Sequence, residues 1–328
     1  MAIPNEGVSV MRAILMAMML AALAGPARAA DNIVHALRIT TLSTMLADTG
    51  VGEWGYSALV EVDGRRILFD TGAHPDVVLR NAKEMGIDLS TADTVILSHN
   101  HDDHTGGLIA LREAAMRKNG KALATALVGA GIFEPRYDKT GKDVNGLAPL
   151  RARYIADGGH FEERAGPVEI APGVWFTGPV PRPNAETNWQ PGLKRKAATG
   201  LIDDTVPEDS ALIFVTDQGI VILTGCGHAG IMNLVDDARR IAGDKPLLAV
   251  IGGLHLFAKS DAVLAASAAK MQGLRYLLAA HCTGIEATIK LRALLGLDRH
   301  TAVVAAVGSS FTLGKGIDAL DIAGSPTN

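Results

Sequence analysis

The sequence predicts an α/β chain in which two mixed β-sheets pack face to face with helices outside. Three observations carry this expectation. Each half opens on two apolar segments joined by a turn: Tyr56–Val62 with Arg65–Phe69 around Asp63-Gly64, and Ala211–Val215 with Ile220–Thr224 around Asp217-Gln218-Gly219. Each pair then leads into alternating strand and helix patterns. Directly after the apolar segment Thr94–Ser98 stands His99-Asn100-His101-Asp102-Asp103-His104. A strand thus delivers three imidazoles and two carboxylates into a turn, where alternate side chains can converge on one point.

In chain order, Ile39–Leu46 alternates as a strand should, and the first hairpin follows. Pro75 marks a helix start, with Val77, Val78 and Leu79 on one face of Asp76–Met85 and Gly86 ending it. Thr94–Ser98 is a buried strand, and Leu108–Lys118 a helix. From about Gly129 to Pro207 the pattern gives way, apart from short apolar runs at Val168–Ile170 and Val174–Thr177, to Pro, Gly and charged residues, which predicts a substrate-covering insert. The carboxy half regains its rhythm after the second hairpin. Helices are expected at Ile231–Ile241, Asp261–Met271 (capped by Ser260) and Ile285–Leu295, with strands at Leu247–Ile251, Arg275–Ala280 and Ala302–Val307.

The composition of the 328 residues, 48% hydrophobic and 20% charged with net charge −4, is that of a globular protein. A mildly acidic chain gives no footing for a nucleic-acid or anionic-membrane partner. The one basic cluster, Lys194-Arg195-Lys196, reads as a solvated loop, which leaves a small-molecule substrate as the expected partner. Arg12, the apolar run Ala13–Ala24 and the Pro26-Ala27-Arg28-Ala29 site read as a secretory signal cut after Ala29, with Met11 as an alternative start. The apolar run is too short to span a bilayer. The remaining domain, 30–328, is therefore expected in the periplasm or medium. Two cysteines, Cys226 and Cys282, are few for a disulfide-stapled exported protein. Chemistry is favoured over stapling for Cys226, and Cys282 stays open, with one bridge feasible if the two strand ends are neighbours.

Neutral imidazole and carboxylate are ligands for Zn²⁺, Fe²⁺ or Mn²⁺. The His99–His104 run followed by Thr105-Gly106-Gly107 resembles the HxHxDH signature of the metallo-β-lactamase fold superfamily. Ile67–Gly72 resembles its early strand and Asp-x-Gly element, and Val221–Gly230 its later strand ending at a metal-facing residue. The TGCxHAG of Thr224–Gly230, Ile251–Leu256 and His281–Gly284 are similar to the branch labelled dihydropterin ribofuranosyl-aminobenzene-phosphate synthase-like. The resemblance runs from about Ile39 to Gly308.

It implies an αββα sandwich and two divalent metal ions, zinc first with iron or manganese as alternatives. His99 and His101 would bind metal 1, and Asp103 and His104 metal 2, with His281 matching the final metal-2 histidine. Cys226 stands where most relatives carry a bridging Asp, and His228 would replace or supplement it. Asp103 would help orient the nucleophile, and His255 would be a ligand or a proton shuttle. The chain departs from the pattern twice: no His-Pro stands at Gly129-Ala130, and the usual third metal-1 histidine before the TGC strand is missing. Glu208, Asp209 or His160 are the residues left to take that place. His35, His74 and His300 read as surface or structural. For an anionic substrate, the free N–H groups of a helix opened by Gly227-His228-Ala229-Gly230 are candidates; so is Arg182, in a loop similar to one of the branch. The expected activity is an exported metal-dependent hydrolase acting on an ester, lactone, amide or phosphoester. The alternatives are a pterin-pathway synthase, which export disfavours, and a catalytically silent metal or ligand binder. A redox di-iron module is disfavoured, because such proteins use Glu where this chain has His101.

Overall fold

The computed structural model describes residues 32–189 and 191–320. The expected leader, 1–29, lies outside the described residues.

Eight strands form the first sheet, in the spatial order Gly316–Asp318, Ser310–Thr312, Leu37–Ser43, Ser57–Val62, Arg65–Phe69, Thr94–Leu97, Thr125–Gly129 and His160–Arg164. Its first five members pair antiparallel, and the last three add in parallel. The Asp63-Gly64 turn closes its hairpin with both residues at positive φ (+45° and +81°), the type I′ geometry whose twist matches paired strands. The second sheet runs Ala302–Val304, Tyr276–Ala279, Leu247–Gly252, Ile220–Thr224, Ala211–Val215, Val174–Phe176 and Val168–Ala171. Its first four strands are parallel.

Between the sheets lies one apolar layer, including Ile39, Phe69, Ile96, Leu212, Phe214, Leu223 and Ile251, all at most 1% exposed. Helices Val77–Glu84, Leu108–Met116 and Leu147–Ala156 seal the outer face of the first sheet with Val78, Leu111 and Leu147. Helices Ile231–Ala242, Asp261–Lys270 and Ile285–Leu294 seal the second with Leu234, Leu264 and Leu291. This is the expected αββα order. Each buried Leu, Ile or Phe contributes about 1.5–3 kcal/mol over its exposed state, so every layer helps fix the strand ends. Ser260 caps its helix as expected, accepting the Val263 N–H.

One expectation needs correction. The stretch 129–207 is not a single insert over the site. His160–Arg164 is the edge strand of the first sheet, and Val168–Ala171 with Val174–Phe176 is the edge of the second. His160–Arg164 is polar and partly exposed, so it carries no apolar run by which a sequence reading finds a strand. The short apolar runs Val168–Ile170 and Val174–Thr177 fall on the two strands at the edge of the second sheet. Among the described residues of this stretch, only Arg136, Val144, Asn145 and Leu193 border the central cavity. Strand Thr125–Gly129 and the two strands after Ser309 were also not anticipated.

Candidate metal centre

Parallel strands in one sheet end on one edge, so the residues following them gather there. After Arg65–Phe69 comes Asp70, after Thr94–Leu97 the His99–His104 run, and after Ile220–Thr224 Cys226 and His228. His255 follows Leu247–Gly252, and His281 follows Tyr276–Ala279. Three of these residues, Asp70, His255 and His281, hold left-handed backbone (φ +55°, +48° and +45°). Such strain in residues other than glycine clusters where a side chain must be aimed.

Asp70 is the buried anchor. Its carboxylate accepts the Ser98 N–H (2.7 Å), the Ser98 hydroxyl (2.7 Å) and the His104 Nδ1–H (2.7 Å). The Ser98 proton is thereby committed to Asp70, so Ser98 Oγ accepts from His99 Nδ1 at 2.9 Å. His228 Nδ1 lies 2.6 Å from the Asn188 carbonyl and donates to it. In all three histidines Nδ1 is the anchored donor and Nε2 faces the centre, bare in His99 and His228 and bare in His104 once that ring has lost its second proton. A side chain at Gly225 would not fit here: its Cβ would lie 2.1 Å from Ser98 Oγ and 2.5 Å from Asp70 Oδ2. The short helix Asp102–Thr105 is pinned from behind, since Thr71 N–H donates to the His104 carbonyl and Tyr56 N–H to that of Asp103.

Donor atoms of His99, His101 and His228 lie within 4.8 Å of one another, as do those of Asp103, His104 and His281. Cys226 lies between, its Sγ 3.1 Å from His104 Nε2 and grouped with His99 as well. His281 Nε2 is 3.1 Å from Asp103 Oδ2. Among the described residues, His99 Nε2, His228 Nε2 and His281 Nδ1 are buried with no hydrogen-bond partner. Leaving a buried polar atom unpaired costs about 1–3 kcal/mol, and imidazole, thiol and carboxylate are the donor set of zinc or iron. The residues fit two divalent cations.

Electrostatics agrees. Burial, then the neighbouring imidazoles, pushes His99 and His228 well below the ordinary imidazole value. His101 falls to about 4, chiefly through burial. Burial alone would raise Asp103, but His104, His281 and His101 outweigh it and hold the carboxyl well below the usual range. His104 is the exception: burial pulls it down, yet Asp70 and Asp103 prevail and lift it to about 9. Burial and the adjacent Cys282 push the Cys226 thiol up.

The family model of the metallo-β-lactamase superfamily matches residues 55–241. The chain belongs to the metallo-β-lactamase superfamily. It is 31% identical over 271 residues to a Methanocaldococcus jannaschii protein named 7,8-dihydropterin-6-methyl-4-(beta-D-ribofuranosyl)-aminobenzene-5'-phosphate synthase, covering 78% of this chain and 90% of that one. It is also 31% identical over 243 residues to an uncharacterized protein of the same organism, covering 73% and 88%. A crystal structure described as a metal-dependent hydrolase of the beta-lactamase superfamily superposes with a TM-score of 0.65 at 23% identity, over 84% of this chain and 98% of that one. That last likeness concerns the fold.

Set against the superfamily pattern, His228 stands in the metal-1 group with His99 and His101, where the sequence lacked a third histidine. The three residues considered for that place do not reach it. Glu208 pairs with Arg136 at 2.6 Å, Asp209 accepts the Ala229 N–H at 2.7 Å, and His160 is exposed beside Glu162 on an edge strand. His255 does line the cavity, its ring 4.6 Å from that of His228 and its Nδ1 unpartnered. His74, on the rim side, pairs with Glu53.

The anion-binding expectations need correction. Gly227 and Gly230 do not border the cavity. The helix they open is already served by the chain's own Glu186, whose carboxylate accepts the Asn233 N–H at 3.0 Å and presses on Gly230. Arg182 also stays off the cavity, donating to the Val206 carbonyl and lying over Trp189. The guanidinium that does border it is Arg136, buried between Asp204 (2.9 Å) and Glu208 (2.6 Å). Arg136 arises from a loop without pattern, so no sequence signal marked it. Asn188 acts through its carbonyl, which any residue carries.

Proposed function

We propose that the chain is an exported metal-dependent hydrolase acting on a small substrate with an ester, lactone, amide or phosphoester bond. One observation carries this reading: His99, His104 and His228 are each anchored through Nδ1 to a buried acceptor, which turns their Nε2 atoms into two adjoining clusters of donor atoms. That arrangement fixes tautomer and direction for metal binding. His99, His101 and His228 would hold one cation, Asp103, His104 and His281 the other, with Cys226 shared. Divalent cations held by these residues would bring a water's pKa towards neutrality and polarise a substrate oxygen. The chain's own groups then orient and protect the reaction. Asp103 fixes His281 and faces the cavity, His255 is placed to hand a proton to the leaving group, and the buried layers exclude bulk water from the floor.

The cavity, about 300 Å³, suits a small molecule. Arg136 is neutralised by its two carboxylates, so the pull on an anionic substrate rests on the cations themselves. Elemental analysis of protein isolated without added metal tests the reading. Two equivalents of zinc, iron or manganese are expected, with ester, lactone and phosphoester hydrolysis abolished together with metal in a His101→Ala, His104→Ala double variant. Stoichiometric metal in that variant would overturn the ligand assignment.

A second reading, a synthase of pterin-cofactor assembly, is favoured by the 31% identical relative spanned over 90% of its length. Formation of the product in that relative's name, with no hydrolysis of the screened bonds, would favour it over the first.

A further inference from the structure

Cys226 Sγ and Cys282 Sγ meet at the cavity wall, 3.2 Å apart. Both are free thiols, 3% and 1% exposed. The gap is well beyond the roughly 2.05 Å of a disulfide. They come from the ends of two strands that flank Leu247–Gly252 in the second sheet. Gly253 makes the approach feasible: a Cβ there would lie 2.9 Å from Cys282 Sγ and 3.3 Å from Cys226 Cα. A buried cysteine is often a small apolar filler. Cys282 departs from that role in two ways. Its sulfur accepts the His255 backbone N–H at 3.3 Å, and its sulfur, the Cys226 sulfur and a His281 ring nitrogen all lie within 4.8 Å of one another.

We propose that Cys282 is a second thiolate ligand of the metal centre, acting with Cys226 and His281. The inference rests on the metal centre described above. Two thiolates in one centre select zinc, iron or cobalt and disfavour magnesium and manganese. Each thiol gives up its proton to solvent as it binds, and no oxidant takes part.

The test uses full-length protein loaded with cobalt. Visible bands of the bound cobalt report whether the centre binds a cation at all, and their absence in the wild type would overturn the metal centre itself. The near-ultraviolet sulfur-to-cobalt charge-transfer band reports thiolates. Cys226→Ser and Cys282→Ser are each expected to keep visible bands and lose about half of that charge-transfer intensity. Cys282→Ser should also bind zinc about tenfold or more weakly, narrowing the preference for zinc over manganese. Full charge-transfer intensity in Cys282→Ser, with its complete loss in Cys226→Ser, overturns the proposal. Thiol alkylation of the wild type gives an answer that needs no variant. Zinc should shield both cysteines, and both should react without it. A Cys282 alkylated equally fast with zinc bound, or metal-free protein with no alkylatable thiol because the sulfurs have joined, overturns the proposal as well.

Discussion

Replacing Asp70 with Asn should loosen the metal centre without touching a single proposed ligand. The carboxylate accepts three donors, Ser98 N–H, Ser98 Oγ–H and His104 Nδ1–H, each at 2.7 Å. An amide offers one acceptor oxygen, so either orientation sets its NH₂ against a buried donor. With the oxygen towards Ser98 N–H, the amide faces both the hydroxyl and His104. The histidine then has reason to give up its Nδ1 proton and keep the one on Nε2, the atom 3.1 Å from Cys226 Sγ. His99 loses its guide too, because the Ser98 proton no longer has a fixed acceptor. A hydrogen bond to a charged group is worth about 1.5–3 kcal/mol and a buried orphan donor costs about 1–3 kcal/mol. A loss of about 2–4 kcal/mol in the metal-free fold follows, with zinc affinity down about 10–100-fold. Denaturant melts under chelation give the first quantity, and zinc competition against a chromophoric chelator gives the second. Wild-type zinc affinity in a folded Asp70→Asn protein would refute the reasoning.

Three further outcomes can be checked. Metal affinity should climb with pH, because His104, held near 9 against an ordinary 6.5, must shed a proton to bind; proton release measured in buffers of different ionisation enthalpy tests this, and a flat profile between pH 6.5 and 9 counts against it. The same raised value means His104 stabilises the metal-free fold fully below about 6.5 and stops doing so as pH rises through about 9. Gly146→Ala would place Cβ 2.0 Å from Asp102 Oδ1, so the carboxylate must leave its place on the cavity wall. Asp102 is exposed and its carboxylate can swing aside, so stability should change by less than about 1 kcal/mol, with altered turnover at unchanged metal content, read by melts, kinetics and elemental analysis. Glu186→Ala removes the acceptor of Asn233 N–H and should cost about 0.5–2 kcal/mol with metal binding intact. Added phosphate should restore part of the melting temperature by taking the carboxylate's place at the helix start.

Much of this molecule is written locally in the sequence. The Asp63-Gly64 hairpin, the helix behind Ser260 and the apolar strand before His99 follow from turn chemistry, caps and periodicity, which act over a few residues. The histidine run names its chemistry by composition alone. His160–Arg164 escaped notice because an edge strand is half-wet and needs no apolar alternation, and the short runs at Val168 and Val174 were legible without the sheet edge they join. Which groups meet, however, depended on contacts across more than a hundred residues. His228 joins His99 and His101 because two sheets bring separate strand ends to one edge. Glu186 takes the helix start that the glycines had suggested for a substrate, and Arg136 rather than Arg182 reaches the cavity wall. The sequence by itself determined the layers, the strand ends and the kinds of ligand they carry, since short-range physics sets those. Only the tertiary structure decided which donors converge and which charges are already spent on one another, because packing alone fixes distance between residues far apart in the chain.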